Sequence, residues 1–171
     1  MPLPRHPRLI GLAVALAAFA LDQGHKFFML HVLDIGARPP IRVTSFLDVT
    51  LSWNFGISYS LFAAHDGAAR AGLLALQLAI VAGLSVWLWR APRRLVATAL
   101  GLVIGGALGN VADRLCRGAV ADFFYLHTSL PVGPLANYVF NVADVAISLG
   151  VALLVLESFV ARPGPSATPK G

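Results

Sequence analysis

The sequence predicts an all-α membrane protein, a bundle of four transmembrane helices with a small β-prone outer strap between the first and second. Three observations carry that prediction. Of 171 residues, 57% are hydrophobic and 12% charged, about half the charged share of an ordinary soluble domain. Four apolar runs, at about 9–30, 69–89, 95–113 and 137–159, are each long enough to cross hydrocarbon about 30 Å thick. Between the first two runs, Pro39-Pro40 excludes a continuous helix, and Arg42 to Trp53 is rich in β-branched and aromatic residues. Residues 1–161 thus read as a single integral-membrane domain, and 162–171 as a proline-rich, disordered C-terminal tail.

The first run follows a short basic segment, Met1 to Arg8, and resembles a secretory leader; Ala18-Phe19-Ala20 even imitates a cleavage site. The apolar stretch continues past Asp22 and Lys26 to Leu30, however, so it reads as a retained span. Asp22 and Lys26 stand at i and i+4, where they can pair. Alone, such a pair only fixes the depth of a helix end. After the strap, Asn54-Phe55-Gly56 has the composition of a turn. The second run ends in Trp87 and Trp89, placed as an aromatic belt, and Pro92 stops it inside the basic loop Arg90 to Arg94.

The third run is ridged with glycine. Gly101, Gly105 and Gly109 recur every fourth residue, so one helix face lets a neighbouring backbone approach closely. Beyond the ridge come Asn110, Asp113, Arg114 and Arg117, and then Asp122 in a segment, Gly118 to Pro134, that reads as a loop. The fourth run opens at Asn137 and carries Asn141 and Asp144 on one helix face. Short-loop arginines place both termini and the Arg90 to Arg94 loop on the cytoplasmic side. Asp22, Lys26, Asn54, the Asn110 to Asp122 cluster, Asn141 and Asp144 then all meet at the outer face. That convergence makes them candidate site residues.

The net charge of +5 comes from scattered basic residues without interleaved aromatics, which argues against nucleic-acid binding and for anchoring on anionic lipid. One cysteine, Cys116, excludes an internal disulfide and any CxxC pair. Asp113 precedes Arg117 by four residues, in the favourable order for a helical ion pair, and so reads as structural. Asp122 and Asp144 lie among apolar residues without a basic residue at helical spacing. Two carboxylates brought close share a proton and so hold a general acid and a general base for activating water. Carboxylate pairs also serve in proton transport, although a relay spreads its polar groups through the membrane depth. No HExxH, GxSxG or P-loop pattern occurs. A Ser–Lys pair would need Lys26 with Ser52, Ser58 or Ser60, and no spacing selects among them. A metal held by Asp113, Asp122 and Asp144 is conceivable, but the histidines lie outside these motifs, so no metal or cofactor is expected.

Taken together, Leu21-Asp22-Gln23-x-x-Lys26, Asn54-x-Gly56, Gly105-Gly-Ala-Leu-Gly-Asn-x-x-Asp113-Arg114, Val120-Ala-Asp122-Phe123 and Phe140-Asn141-x-Ala-Asp144 resemble the bacterial lipoprotein signal peptidase family, signal peptidase II. The resemblance covers nearly all but the two tails. It implies an aspartyl endopeptidase of the cell inner membrane, cutting prolipoproteins just before a diacylglyceryl-modified cysteine; a monomer is expected. Asp122 and Asp144 fall on the family's catalytic aspartates. Asp22, Lys26, Asn54, Gly56, Asn110, Arg114 and Asn141 fall on its supporting positions, and the strap on a segment that closes over substrate. One departure is visible: Ile57-Ser58-Tyr59-Ser60 follows Gly56, where many relatives place a small residue and then Phe.

Overall fold

Among the residues that a computed structural model of the chain describes, 7–56, 67–128 and 137–160, four helices are long and apolar enough to cross a membrane. They are α1 (Pro7–Phe27), α2 (Gly67–Trp89), α3 (Arg94–Cys116) and α4 (Val142–Val160). A π-helical turn, Phe28–Val32, prolongs α1. Ser58, Tyr59 and Ser60, the Gly133-Pro134 pair and the tail from Arg162 lie outside the described residues.

Helix α3 is the central element, buried along most of its length between α1 and α4. Its glycine ridge faces α1. Gly101 lies against the carbonyl of Gly11, Gly105 against the carbonyl of Ala15 and the side chain of Ala18, and Gly109 against the carboxylate of Asp22. On another face, Gly106 meets the backbone of Ala143 in α4. Lipid supplies no hydrophobic drive between helices, so their association depends on close contact of this kind. Gly105→Leu will therefore push α3 off α1 and destabilise by about 1–3 kcal/mol or more, read as a lower melting temperature in detergent. An unchanged melting temperature would show that the ridge tolerates bulk.

The all-α expectation requires correction. A four-stranded antiparallel sheet, in the order β1-β2-β3-β4, is built from β1 (Ile41–Arg42), β2 (Leu47–Asn54), β3 (Val120–His127) and β4 (Asn137–Phe140). Eight residues of the segment read as a loop after Gly118, Val120–His127, form β3. The opening of the fourth apolar run is β4, so α4 starts at Val142 rather than Asn137, while α3 runs on to Cys116. Both strands are aromatic and β-branched, but they carry no polar alternation. Val120, Ala121, Asp122 and Phe123 are all buried, and hydropathy alone merges such a strand with its surroundings.

The sheet packs on the end of α1, where Met29 and Ile35 form a core with Ala121 and Phe123. His25 stacks on Phe124 at 5.3 Å between ring centroids and meets Phe123 edge-on at 5.4 Å. Ser52 pairs with Asp122 and Asn54 with Val120, beyond a register shift between Val49 and Ser52. Asn54 is thereby carried to the strand that bears Asp122.

Candidate active site

Lys26 is fully buried with Asp22 and Asp113. Its Nζ lies 2.8 Å from Asp22 Oδ2 and 2.9 Å from Asp113 Oδ2, and donates to Asn110 Oδ1 at 3.2 Å. Three N–H donors thus meet three acceptors on two helices. Each aspartate also reaches backbone. Asp22 Oδ1 accepts from the N–H of Ala143 at 2.9 Å, one of the unpaired amides in the first turn of α4, where negative charge is favoured. Asp113 Oδ2 accepts from the N–H of Ala121 at 3.1 Å, and its Oδ1 takes Arg117 Nη1 at 2.6 Å. Asp22 therefore holds α4 in place, and Asp113 holds the residue just before Asp122.

Asp122 and Asp144 are bound to a frame of amides. Asp122 Oδ1 accepts from Asn141 Nδ2 at 2.5 Å, and Oδ2 from Asn54 Nδ2 at 3.2 Å. Asp144 Oδ1 accepts from Asn110 Nδ2 at 3.1 Å. Asn141 caps α4 through a reciprocal box: its Oδ1 accepts from the Asp144 N–H at 3.0 Å, while its own N–H donates to Asp144 Oδ2 at 3.1 Å. Asn141 Nδ2 also donates to Asn110 Oδ1 at 3.2 Å. Because Lys26 and Asn141 both donate to that oxygen, the Asn110 amide must present its nitrogen to Asp144. Arg114, nine-tenths buried, donates to the carbonyl of Gly56, and its Nε has no partner among the described residues.

The comparisons with known proteins point the same way. A family model described as Signal peptidase (SPase) II matches residues 14–160. The chain belongs to the signal peptidase II family. It is 51% identical over 156 residues to the lipoprotein signal peptidase of Beijerinckia indica, covering 91% of each chain. It is 49% identical to that of Methylorubrum extorquens, covering 92% of this chain and 88% of the relative. In fold it matches a bacterial membrane enzyme solved by the in meso method at 2.3 Å, with a TM-score of 0.74 at 21% identity over 92% of this chain and 93% of the other. Signal peptidase II is an aspartic protease family that cleaves signal peptides from prolipoproteins.

For a signal peptidase II, the charges around the site are informative. Asp22, Asp113, Asp122 and Asp144 share it with Lys26, Arg114 and Arg117. Among the described residues, four acids against three bases leave one negative charge in excess, and a single proton on the Asp122–Asp144 pair removes it. Burial, reinforced by the neighbouring Asp144 charge and opposed by the amides of Asn141 and Asn54, pushes the Asp122 carboxyl up from 3.8 to about 7. Unfolded, Asp122 loses its proton near pH 3.8; folded, it keeps it to about pH 7. In that window the folded state binds more protons, so stability falls as pH rises, by about 4 kcal/mol in all, and then levels off. The melting temperature of Asp122→Asn relative to wild type will accordingly climb between pH 5 and pH 8. A difference that does not change with pH would overturn this placement of the proton.

The structure brings together every residue that the sequence singled out at this face. Gly105 and Gly109 line the α1–α3 contact, and Asn54, Gly56, Asn110, Asp113, Arg114, Arg117 and Asn141 surround the two aspartates and Lys26. A Ser–Lys pair is excluded for Ser52, since the Lys26 ammonium is fully engaged with acids and an amide. Gln23, present in the first motif, was given no role in the site; its Nε2 lies 3.1–3.2 Å from Asp22, the Gly109 carbonyl and Asp113, and shares its two N–H groups among them. A polar residue one step from Asp22 in an apolar run was its available signal. His25, braced against the strand of Asp122, carried none.

Proposed function

We propose that this protein is an inner-membrane lipoprotein signal peptidase in which Asp122 and Asp144 activate water. What carries the reading is the separation of roles in the polar cluster. Asp22, Lys26, Asp113 and Arg117 satisfy one another, whereas among the described residues the hydrogen bonds that reach Asp122 and Asp144 come from neutral amides. A carboxylate pair left with amide donors alone keeps one mobile proton. Its ionised member removes a proton from water as the oxygen adds to the scissile carbonyl. The protonated member stabilises the developing oxyanion, and a proton then passes to the departing amine. Arg114 Nε, without a partner among the described residues, is a donor suited to a substrate carbonyl. Lys26, Asn110 and Asn141 act as positioning residues.

The substrate in this reading is a prolipoprotein with a diacylglyceryl-cysteine, cut just before that cysteine. The termini lie in the cytoplasm and the dyad near the outer face. The β1–β2 segment is a strap over the substrate, and residues 1–161 act as one monomeric catalytic domain. A trough of about 390 Å³ running from Asp144 along α4, lined by Tyr138, Phe140, Val145, Ser148, Leu149 and Ala152, suits an apolar chain delivered to the dyad. Each methylene kept out of water contributes about 0.8 kcal/mol, and the anchored chains fix the scissile bond at the depth of the carboxylates. Matched lipidated and unlipidated prolipoprotein peptides, compared in one bilayer, will differ by several orders of magnitude in kcat/KM. Equal cleavage of both would remove the lipid from the specificity.

A further inference from the structure

Helices α1, α2 and α3 do not close on one another along their full length. Helix α2 packs on α3 but barely touches α1, and the gap is a groove of about 540 Å³. Leu16 and Phe19 of α1, Leu78 of α2, and Leu108, Val111 and Leu115 of α3 line it. The three α3 residues fall at i, i+3 and i+7, so the groove follows one face of that helix for about 10 Å, toward the end that leads into the sheet. It is separate from the Asp144 trough, which is lined by β4 and α4.

At the sheet end of this groove α3 stops at Cys116, and the chain turns at Gly118 with φ 81°. Arg70, in the first turn of α2, lies against that turn, its Nη1 3.2 Å from the point where a Cβ on Gly118 would stand. Arg70 is exposed and has no carboxylate partner among the described residues. Arg117 beside it is held by Asp113. Gly118 follows the groove residue Leu115 by three positions, and a guanidinium there without a carboxylate partner among the described residues, next to a concave apolar slot, matches a ligand with an anionic head and an aliphatic tail. Arginine binds phosphate through parallel N–H donors, and the charge attraction is strongest near a membrane surface.

We propose that this groove is a binding site for one anionic phospholipid of the leaflet on the sheet side, with its phosphate on Arg70 and one acyl chain between α1, α2 and α3. The proposal is independent of the protease reading, because the binding can be measured without turnover. Full-length protein in detergent, titrated with phosphatidylglycerol or with phosphatidylcholine of the same chains and examined by native mass spectrometry, will retain phosphatidylglycerol about five-fold better. That ratio corresponds to about 1 kcal/mol for one basic residue near the surface. Arg70→Gln will bring the two lipids to parity and leave phosphatidylcholine unchanged. Ala112→Phe or Leu78→Trp, filling the slot from opposite walls, will reduce retention of both lipids, with melting temperatures confirming that each variant is folded. Equal retention by the wild type would overturn the proposal. So would a preference that survives Arg70→Gln, indifference to filling the slot from either wall, or displacement of phosphatidylglycerol by a lipidated substrate peptide.

Discussion

Asp122→Asn and Asp144→Asn will each lower kcat by at least about 10²- to 10⁴-fold, the range general acid–base catalysis supplies, in protein that remains folded and inserted. Asparagine keeps the shape of the carboxyl group and removes its proton chemistry. The surroundings predict how each variant copes. Asn141 Nδ2 and Asn54 Nδ2 donate to opposite oxygens of Asp122, so an amide at this position sets one N–H₂ against a donor. Turning the Asn54 amide relieves that mismatch at the cost of one bond, from the Gly56 N–H to Asn54 Oδ1, whereas a protonated Asp122 keeps lone pairs on both oxygens. Position 144 is less forgiving. The Asn110 nitrogen donates to one oxygen and the Asn141 N–H to the other, and Asn110 cannot flip without turning its nitrogen toward Lys26 and Asn141. Asp144→Asn will thus lose about 1–3 kcal/mol of stability as well as activity. Single-turnover cleavage beside thermal melting separates the two effects. Substantial turnover by either folded variant would remove the dyad from the mechanism.

The spans were legible because apolar length is a direct consequence of hydrocarbon thickness. The glycine ridge was legible because a four-residue repeat marks one helix face. Pairing at i and i+4 foretold the contacts of Lys26 with Asp22 and of Asp113 with Arg117. What it could not foretell is that Lys26 also joins Asp113 across helices, or that Asp22 and Asp113 bind the N–H groups of Ala143 and Ala121. Backbone donors leave no mark on side-chain spacing. Strand β3 was missed for a related reason: its partners β2 and β4 approach from both directions in sequence, and its ladder gives residues 120–123 no polar face. Asn141 was placed on the same helix face as Asp144, but it stands one residue before α4 and caps it. An Asn-x-x-Asp spacing ahead of an apolar run fits either arrangement until the start of the helix is known.

Lys26→Met carries the other large expectation. Methionine nearly matches lysine in length and removes the one cation shared by Asp22 and Asp113, both fully buried. Removing a single partner from a buried ionic cluster costs about 3–5 kcal/mol, since the stranded charge keeps its desolvation penalty without its compensation. Here two carboxylates lose their shared cation, although Arg117 still holds one of them. The melting temperature in detergent should fall by roughly 10 °C. Activity should fall as well, beyond what the loss of folded protein explains. Without Lys26, only Asn141 still donates to Asn110 Oδ1, and the amide becomes freer to turn its nitrogen away from Asp144. Adding Asp22→Asn to Lys26→Met removes one stranded charge while leaving an oxygen for the Ala143 N–H, so the double variant should regain part of the lost stability. It should not regain activity, because the Asn110 amide remains unfixed. A Lys26→Met protein that melts like the wild type would show that the cluster contributes nothing net to the fold. A double variant that recovers full turnover would show that Lys26 serves the fold alone and does not position the dyad.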